Sequence, residues 1–226
     1  MRLIANDPET PTTRRIRISL EGRTFAYRAG QAASLLVDST EATPYSIASA
    51  PFETAREGWL EFLVKVDGST RFGATVESLR AGTTVDVTGP AGKFTTGGVP
   101  PDAPLLFIAG GTGIAPLRSM IHQVLEDGHE GRLSLVYSAR TPDEFAYLAD
   151  VQALAREGRL ALTLTLTGPS DEWLHARGRT GIAHLAAHVR PHGVAFVCGP
   201  PAMVAEIPIA LESLGVTRER IRTEHW

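Results

Sequence analysis

The chain has 226 residues, 43% of them hydrophobic and 21% charged, which is enough to bury one large core or two small ones; two domains fit that length better. A net charge of -3 supplies no basic field for a nucleic-acid backbone, and no apolar run approaches the ~20 residues that span a bilayer, so neither nucleic acid nor membrane is an expected partner. Cys198 is the single cysteine, which excludes an intramolecular disulfide and a cysteine-held iron–sulfur or zinc centre. Redox chemistry in such a chain needs a bound organic cofactor. The start, Met1 to Pro8, has no apolar signal core, and the expected compartment is the cytoplasm.

In chain order, Ile16, Ile18 and Leu20 alternate with Arg15, Arg17 and Ser19, the period of a strand with one wet face. Further strands are predicted over residues 25–27, 33–37, 45–48, 60–66 and 85–87, separated by Gly22, Gly30, Gly58, Gly68 and Gly82. One helix interrupts them: Phe72, Val76 and Leu79 recur at helical spacing, with Ser69 or Thr70 as its N-cap. The pattern predicts a small antiparallel six-stranded β-barrel. The breaker-rich Gly97-Gly98-Val99-Pro100-Pro101 marks a boundary, giving domains 1–99 and 100–226.

Beyond the boundary, strands at 105–109, 133–137, 160–166 and 195–198 alternate with helices at 115–126, 143–156, 182–189 and from about 202, and residues 221–224 close as a strand. This is the pattern of a Rossmann-like parallel α/β domain, which binds ligands at the carboxyl ends of its strands. Pro208 is expected to kink or split the last helix. The strand at 105–109 runs into Gly110-Gly111-Thr112-Gly113-Ile114-Ala115-Pro116, where glycines let backbone approach an anion and the following amides point at it. That turn lacks the third glycine of the dinucleotide fingerprint, and Pro116 stands in its place.

Other chemistries find little support. There is no Gly-x-Ser-x-Gly elbow, and Gly92-Lys93 lacks the rest of a P-loop, Phe94 standing where Ser or Thr is required. His184 and His188 are spaced to clamp a metal on a helix, but no acidic residue between them and no third ligand accompanies them, and no metal is expected.

Four segments then fall in one order: Thr43-Pro44-Tyr45-Ser46-Ile47-Ala48-Ser49, Gly89-Pro90-Ala91-Gly92-Lys93-Phe94, the Gly110 to Pro116 turn, and Val197-Cys198-Gly199-Pro200-Pro201. Together they resemble the ferredoxin-NADP reductase superfamily, from Tyr27-Arg28-Ala29-Gly30-Gln31 to Trp226. The resemblance implies a flavin-binding barrel followed by a nucleotide-binding domain, with FAD favoured over FMN and with NADPH or NADH as donor.

By that resemblance Thr43, Pro44, Tyr45 and Ser46, the backbone of Leu63, Val64 and Lys65, and Gly68, Ser69, Thr70, Arg71 and Trp226 hold the flavin. The family's arginine is replaced by Thr43, which loses a charge-assisted contact to the flavin phosphate; Arg71 is the substitute charge. Gly111, Thr112, Gly113, Ile114, Ala115 and Pro116, with Ser138, Arg140, Cys198, Gly199, Pro200 and Met203, hold the nicotinamide nucleotide. Ser138 and Arg140 suit a 2′-phosphate better than an acid would, a slight lean toward NADPH. Ser46, Cys198, Glu224 and Trp226 are implied at the reacting rings, Trp226 covering the flavin and Glu224 linking protons to solvent.

The expected function is hydride transfer from NAD(P)H to flavin and release of electrons to a ferredoxin, a flavodoxin, an oxygenase component or a small acceptor. The alternative, carried by Thr43, is a nucleotide-binding or electron-transfer subunit without stable flavin. A third reading is the reductase of an oxygenase whose iron–sulfur domain is on another chain.

Overall fold

The computed structural model describes residues 1–37, 42–66, 68, 71–170 and 172–225, with Arg71 described by its backbone alone. Its contacts divide it into two compact units, Met1–Thr96 with Arg118–Asp127, and Gly97–Leu117 with the residues from Gly128 onward.

The first unit holds two antiparallel three-stranded sheets. One orders β1 (Arg2–Thr10), β2 (Thr13–Ser19) and β5 (Trp59–Lys65); the other orders β4 (Thr43–Ser46), β3 (Ala32–Leu36) and β6 (Asp86–Ala91). Bridges between Ile47 and Phe62 and between Arg2 and Thr84 join the two sheets at both margins, closing six strands into a barrel. Leu3, Ile16, Ile18, Leu35, Ile47, Leu60 and Phe62 fill it. Six strands were expected, but they are not the same six. β1 carries Pro8 and mixed polarity, and its place comes from the hairpin with β2. Residues 25–27 lie outside the sheets: Phe25 and Tyr27 lean on the core by their rings, and the Tyr27 phenol bonds to Ser49 O and Thr54 Oγ1, both at 2.8 Å.

Two helices, not one, accompany the strands, α1 (Pro51–Glu57) and α2 (Arg71–Val76). The unexpected α1 starts with Pro51 at its first position, where no N–H is needed, and Glu53 reaches back to the Ala50 amide at 2.7 Å; it stops at Gly58 in the left-handed conformation (φ 74°). The Ser69 and Thr70 caps expected for α2 lie outside the described residues. Nor are the β2 arginines a merely solvated face. Arg17 Nε sits 2.7 Å from the buried Glu61 carboxylate, with its guanidinium over the Trp59 ring at 4.5 Å, and Arg15 reaches Glu61 and Glu9.

The second unit is built on one parallel sheet. Its strands are β7 (Leu105–Gly110), β8 (Leu133–Ala139), β9 (Ala161–Leu166), β10 (Ala176–Arg177), β11 (Val194–Gly199) and β12 (Ile221–His225), in the order β10-β9-β8-β7-β11-β12. The chain steps outward from β7 to β10, then returns to β11 on the other side of β7, which puts the topological switch point between β7 and β11. Every residue of β7, β8 and β11 is buried, as a sheet covered on both faces requires.

The helices are α3 (Ile114–Glu126), α4 (Leu148–Arg156), α5 (Ile182–Leu185) and α6 (Pro201–Ser213). The residues of α3 from Arg118 cluster with the first unit. Three expectations need correction. α6 runs unbroken through Pro208, which is buried on the same side as Ile207 and Leu211. The helix predicted over 143–156 begins only at Leu148; before it come a 3-10 turn, Pro142–Glu144, and the segment 145–147, whose three buried side chains and left-handed Tyr147 (φ 55°) override helical propensity. α5 is one turn long and holds only His184 of the two, and the histidines serve the strands separately. His184 Nδ1 accepts from Gly181 N at 3.3 Å and its Nε2 lies 3.1 Å from Arg177 O, whereas His188 Nε2 lies 2.8 Å from Thr163 Oγ1. Among the described residues there is neither a metal-binding cluster nor a helix long and apolar enough to cross a membrane.

Candidate functional site

In the second unit the turns after β7 and β11 lock together through glycine. A side-chain carbon on Gly113 would lie 2.2 Å from Cys198 O; one on Gly110 would lie 2.8 Å from Pro200 Cδ and 2.9 Å from Met203 Cε, and one on Gly199 2.8 Å from Met203 Sδ. These three glycines therefore serve turn-on-turn packing. Gly111 differs: its φ is +54° and a side-chain carbon there would meet nothing, so glycine is needed for conformation and the turn stays open on that side.

Gly111–Gly113 form a single 3-10 turn feeding α3, and Pro116, third in that helix, falls in the first turn, where a missing N–H costs no helical bond. An open glycine turn at a switch point, followed by the N-terminus of a 13-residue helix, fits the pyrophosphate of a dinucleotide. Support comes from a residue that sequence reasoning missed. The phenol of Tyr137, buried at the end of β8, donates to Gly111 O at 3.2 Å and accepts from Ala146 N at 3.1 Å. An apolar strand ending in tyrosine beside Ser138 is the available signal, and it reads as core.

The other nucleotide residues are spread along the same strand ends. Ser138 is buried with Oγ 3.5 Å from Ala109 O, a weak contact, whereas the Arg140 side chain is exposed; its amide donates to Glu144 Oε2 at 3.2 Å. Cys198 is buried and stands in register with Ala109 on β7 and Glu224 on β12. Glu224 is half-buried, His225 is exposed, and Trp226 lies outside the described residues.

In the first unit, β4 is an outer strand of its sheet. Thr43 and Tyr45 are half-buried on it, Pro44 is exposed and Ser46 is buried. The Tyr45 ring packs on Phe72 at 5.5 Å, leaving part of the ring uncovered. Leu63 and Val64 are buried on β5 and Lys65 is exposed. Gly68 is exposed with φ +77° and open space where a side chain would stand. A half-uncovered tyrosine beside a buried serine on an outer strand fits a flat aromatic cofactor with hydrogen-bonding edges. Ser69, Thr70 and the Arg71 side chain lie outside the described residues.

Behind β4 stands a polar cluster that the sequence reading did not find. Ser49 O accepts from Tyr27 OH (2.8 Å) and Ser119 Oγ (2.7 Å), and Ser49 Oγ accepts from Glu61 N at 3.1 Å. Burial pushes the Tyr27 phenol up to about 12, so it remains a hydrogen-bond donor at any physiological pH. Arg118 clamps Glu53 through two bonds, 2.8 and 3.0 Å, and also donates to Ala48 O at 3.0 Å. Burial raises the Glu53 carboxyl, yet the Arg118 hydrogen bonds and charge, with the Ala50 amide, outweigh it and hold the group below its ordinary 4.5. Arg118 and Glu53 are 65 positions apart, and no local pattern announces such a pair.

Comparison with known proteins agrees with this division. Residues 1–96 match the oxidoreductase FAD-binding domain and residues 107–208 the oxidoreductase NAD-binding domain. The chain is 32% identical over 247 residues to ferredoxin--NADP reductase B of Sorangium cellulosum, covering 100% of this chain and 96% of that one. It is 28% identical to the ferredoxin--NAD(P)(+) reductase component of the naphthalene 1,2-dioxygenase system of Pseudomonas putida, covering 97% of this chain and 66% of that one. In fold it is similar to the ferredoxin NADP+ reductase of Neisseria gonorrhoeae solved with bound FAD and NADP, with a TM-score of 0.81, 21% identity, and coverage of 99% and 96%. With both domain families matched and a reductase aligned along its length, the chain belongs to the ferredoxin-NADP reductase superfamily, the NAD(P)H-dependent flavin oxidoreductases.

Proposed function

We propose that this chain is a cytoplasmic reductase that takes electrons from NADPH or NADH through FAD and delivers them to a ferredoxin, or to the ferredoxin of an oxygenase system. The domains are residues 1–99 for flavin and 100–226 for nucleotide. The observation that carries the reading is the open Gly111 turn at the β7/β11 switch point, where an α/β sheet receives its dinucleotide. The acceptor class follows from relatives that are named for ferredoxin.

FAD supplies a ring that accepts hydride from nicotinamide and passes electrons on singly; the protein supplies binding and orientation. Gly111 to Ala115 would offer turn and helix amides to the pyrophosphate, with Pro116 in the first turn where no N–H is needed, and Gly199, Pro200 and Met203 wall that turn. Arg140, exposed at the end of β8, supplies the cation for a 2′-phosphate, which favours NADPH; the buried Ser138 contributes little to it. Cys198 offers a small, polarisable surface beside the nicotinamide, and Glu224, its register neighbour, exchanges protons with solvent. Tyr45 would pack on the flavin ring, and the Ser46 hydroxyl would hydrogen-bond at flavin N5 without adding charge. Thr43, Pro44, the backbone of Leu63, Val64 and Lys65, and Gly68 complete the flavin cradle, together with Ser69, Thr70, Arg71 and Trp226.

Ser46→Ala tests the assignment. In stopped-flow traces the limiting rate of flavin reduction is expected to fall about tenfold or more, as loss of a hydrogen bond at a reacting atom produces, while the half-saturating nucleotide concentration stays within about twofold. An unchanged limiting rate would remove Ser46 from the reacting centre.

A further inference from the structure

The buried phenol of Tyr137 is one end of a longer line of contacts. Tyr137 meets Phe145 edge to face, with ring centroids 4.9 Å apart; Phe145 stacks on Trp173 at 5.5 Å with only 15° between the rings; and Trp173 meets His175 at 4.9 Å. Trp173 belongs to the connection between β9 and β10, which leaves the sheet at its carboxyl edge. That connection is itself tied down: Trp173 Nε1 donates to Ala176 O at 2.8 Å, and the Arg177 guanidinium donates to Trp173 O at 2.9 Å and to Ser170 O. Its tip, Leu174, is 92% exposed.

The middle of the line is strained. Phe145, Ala146 and Tyr147 are all buried, and Tyr147 holds a left-handed backbone (φ 55°) that a bulky residue adopts only when its surroundings over-determine it. The Ala146 amide in that segment is the group that donates to the Tyr137 phenol, and the same phenol donates to Gly111 O. Gly111 is the turn residue whose conformation leaves the cradle open. The strained buried segment and the phosphate turn thus share one hydroxyl, and the surface loop stacks on that segment through Phe145.

We infer that Tyr137 is a positioning residue that couples the Trp173 loop to the Gly111 turn, so that seating of this loop sets the affinity for the nicotinamide nucleotide. The inference rests on the nucleotide reading above for its ligand, but the coupling itself concerns the free protein. Glycine turns exchange conformers readily, and holding Gly111 O in place keeps the following amides aimed at one point before the ligand arrives. Contacts that form one packed chain with two tied ends are the arrangement in which substitutions fail to act independently.

The test uses the flavin-loaded full chain and four variants: Tyr137→Phe, Trp173→Ala, Trp173→Phe and the double variant Tyr137→Phe/Trp173→Ala. Tyr137→Phe keeps the ring and removes only the hydroxyl. It is expected to raise the half-saturating NADPH or NADH concentration about fivefold, the usual weight of one hydrogen bond, with the limiting rate of flavin reduction unchanged within about twofold. Trp173→Ala should do the same and Trp173→Phe, which preserves the stack, should not. The double variant should fall well short of the product of the two single effects.

A purely structural role would lower thermal stability without this split between affinity and rate. The second readout needs no nucleotide: hydrogen exchange of the peptide spanning residues 107–116 should quicken in Tyr137→Phe and in Trp173→Ala, and match the parent in Trp173→Phe. Strictly multiplicative effects in the double variant would overturn the coupling, and so would unchanged exchange in Trp173→Ala, a result that stands even if Tyr137→Phe fails to fold. Loss of the nucleotide reading shows separately, as a parent protein that neither nucleotide reduces.

Discussion

The two units bury their strands in opposite ways, and the contrast decides how each site is specified. All seven residues of β8 are buried, as are all six of β7 and of β11, whereas β6 of the barrel has five of its six residues exposed and β1 buries only two of nine. A sheet buried on both faces leaves its strand ends as the place for a ligand, and strand order then selects the switch point. A barrel with a wet exterior offers no such default. In the flavin site proposed above, the cofactor surface is specified by individual side chains such as Thr43, Tyr45 and Ser46 rather than by strand order.

Substitution can sharpen or break that contrast. Gly113→Val should have the largest effect, because a side-chain carbon would stand 2.2 Å from Cys198 O, against backbone that cannot swing away. A loss of about 3 kcal/mol is expected, a fall in Tm of about 6–12 °C for a chain of this size, together with loss of nucleotide binding. A stable Gly113→Val protein with parental affinity would show that the two turns do not depend on their close packing.

Next in size is Arg118→Met, which strands the largely buried Glu53 carboxylate, both side chains being 12% exposed. About 2 kcal/mol of stability should be lost at neutral pH, less than for a fully dry pair. The pH dependence has a definite sign. Arg118, with His122 nearby, depresses the Glu53 carboxyl below 4.5, so the pair's contribution is fully present above that pH and disappears as pH falls through the lower folded-state value. Denaturation of Glu53→Gln and of the parent chain should therefore differ most above pH 4.5 and converge in acid. A constant difference across that range would contradict the assignment.

The smallest effect is a gain. If Thr43 stands where the proposed site puts it, Thr43→Arg would supply a charge to the flavin phosphate, and a charge-assisted bond in place of a neutral one should tighten FAD about fivefold in fluorescence titrations of the apoprotein. No tightening would mean that another cation already fills the place.

Legibility followed the same division. The parallel sheet was readable because β7, β8 and β11 are largely apolar runs, and β7, β8, β9, β11 and β12 fall within about two residues of their predicted places; the two-residue β10, which follows β9 without a helix, was not foreseen. What failed there was helix extent at residues 143–147, where the buried Phe145 and Tyr147 and the Tyr137 bond overrule local propensity. In the barrel, β2 was legible from period two and β3 and β5 as short runs between glycines, but β1 draws its place from pairing and α1 is too short for a periodic signal. Pro51, Glu53 and Gly58 do mark α1's two ends for a reader looking for caps. Most of the proposed site residues come from ordered motifs. Tyr137 and the Arg118–Glu53 clamp do not, since a buried tyrosine reads as core and a contact across 65 positions leaves no local trace.

The most direct test is an anaerobic absorbance titration of the purified flavin-loaded protein with NADPH and, separately, NADH. The account predicts that the yellow flavin band bleaches with both nucleotides, NADPH completing the change near one equivalent per flavin and NADH needing an excess. A flavin band that persists with both nucleotides would contradict it.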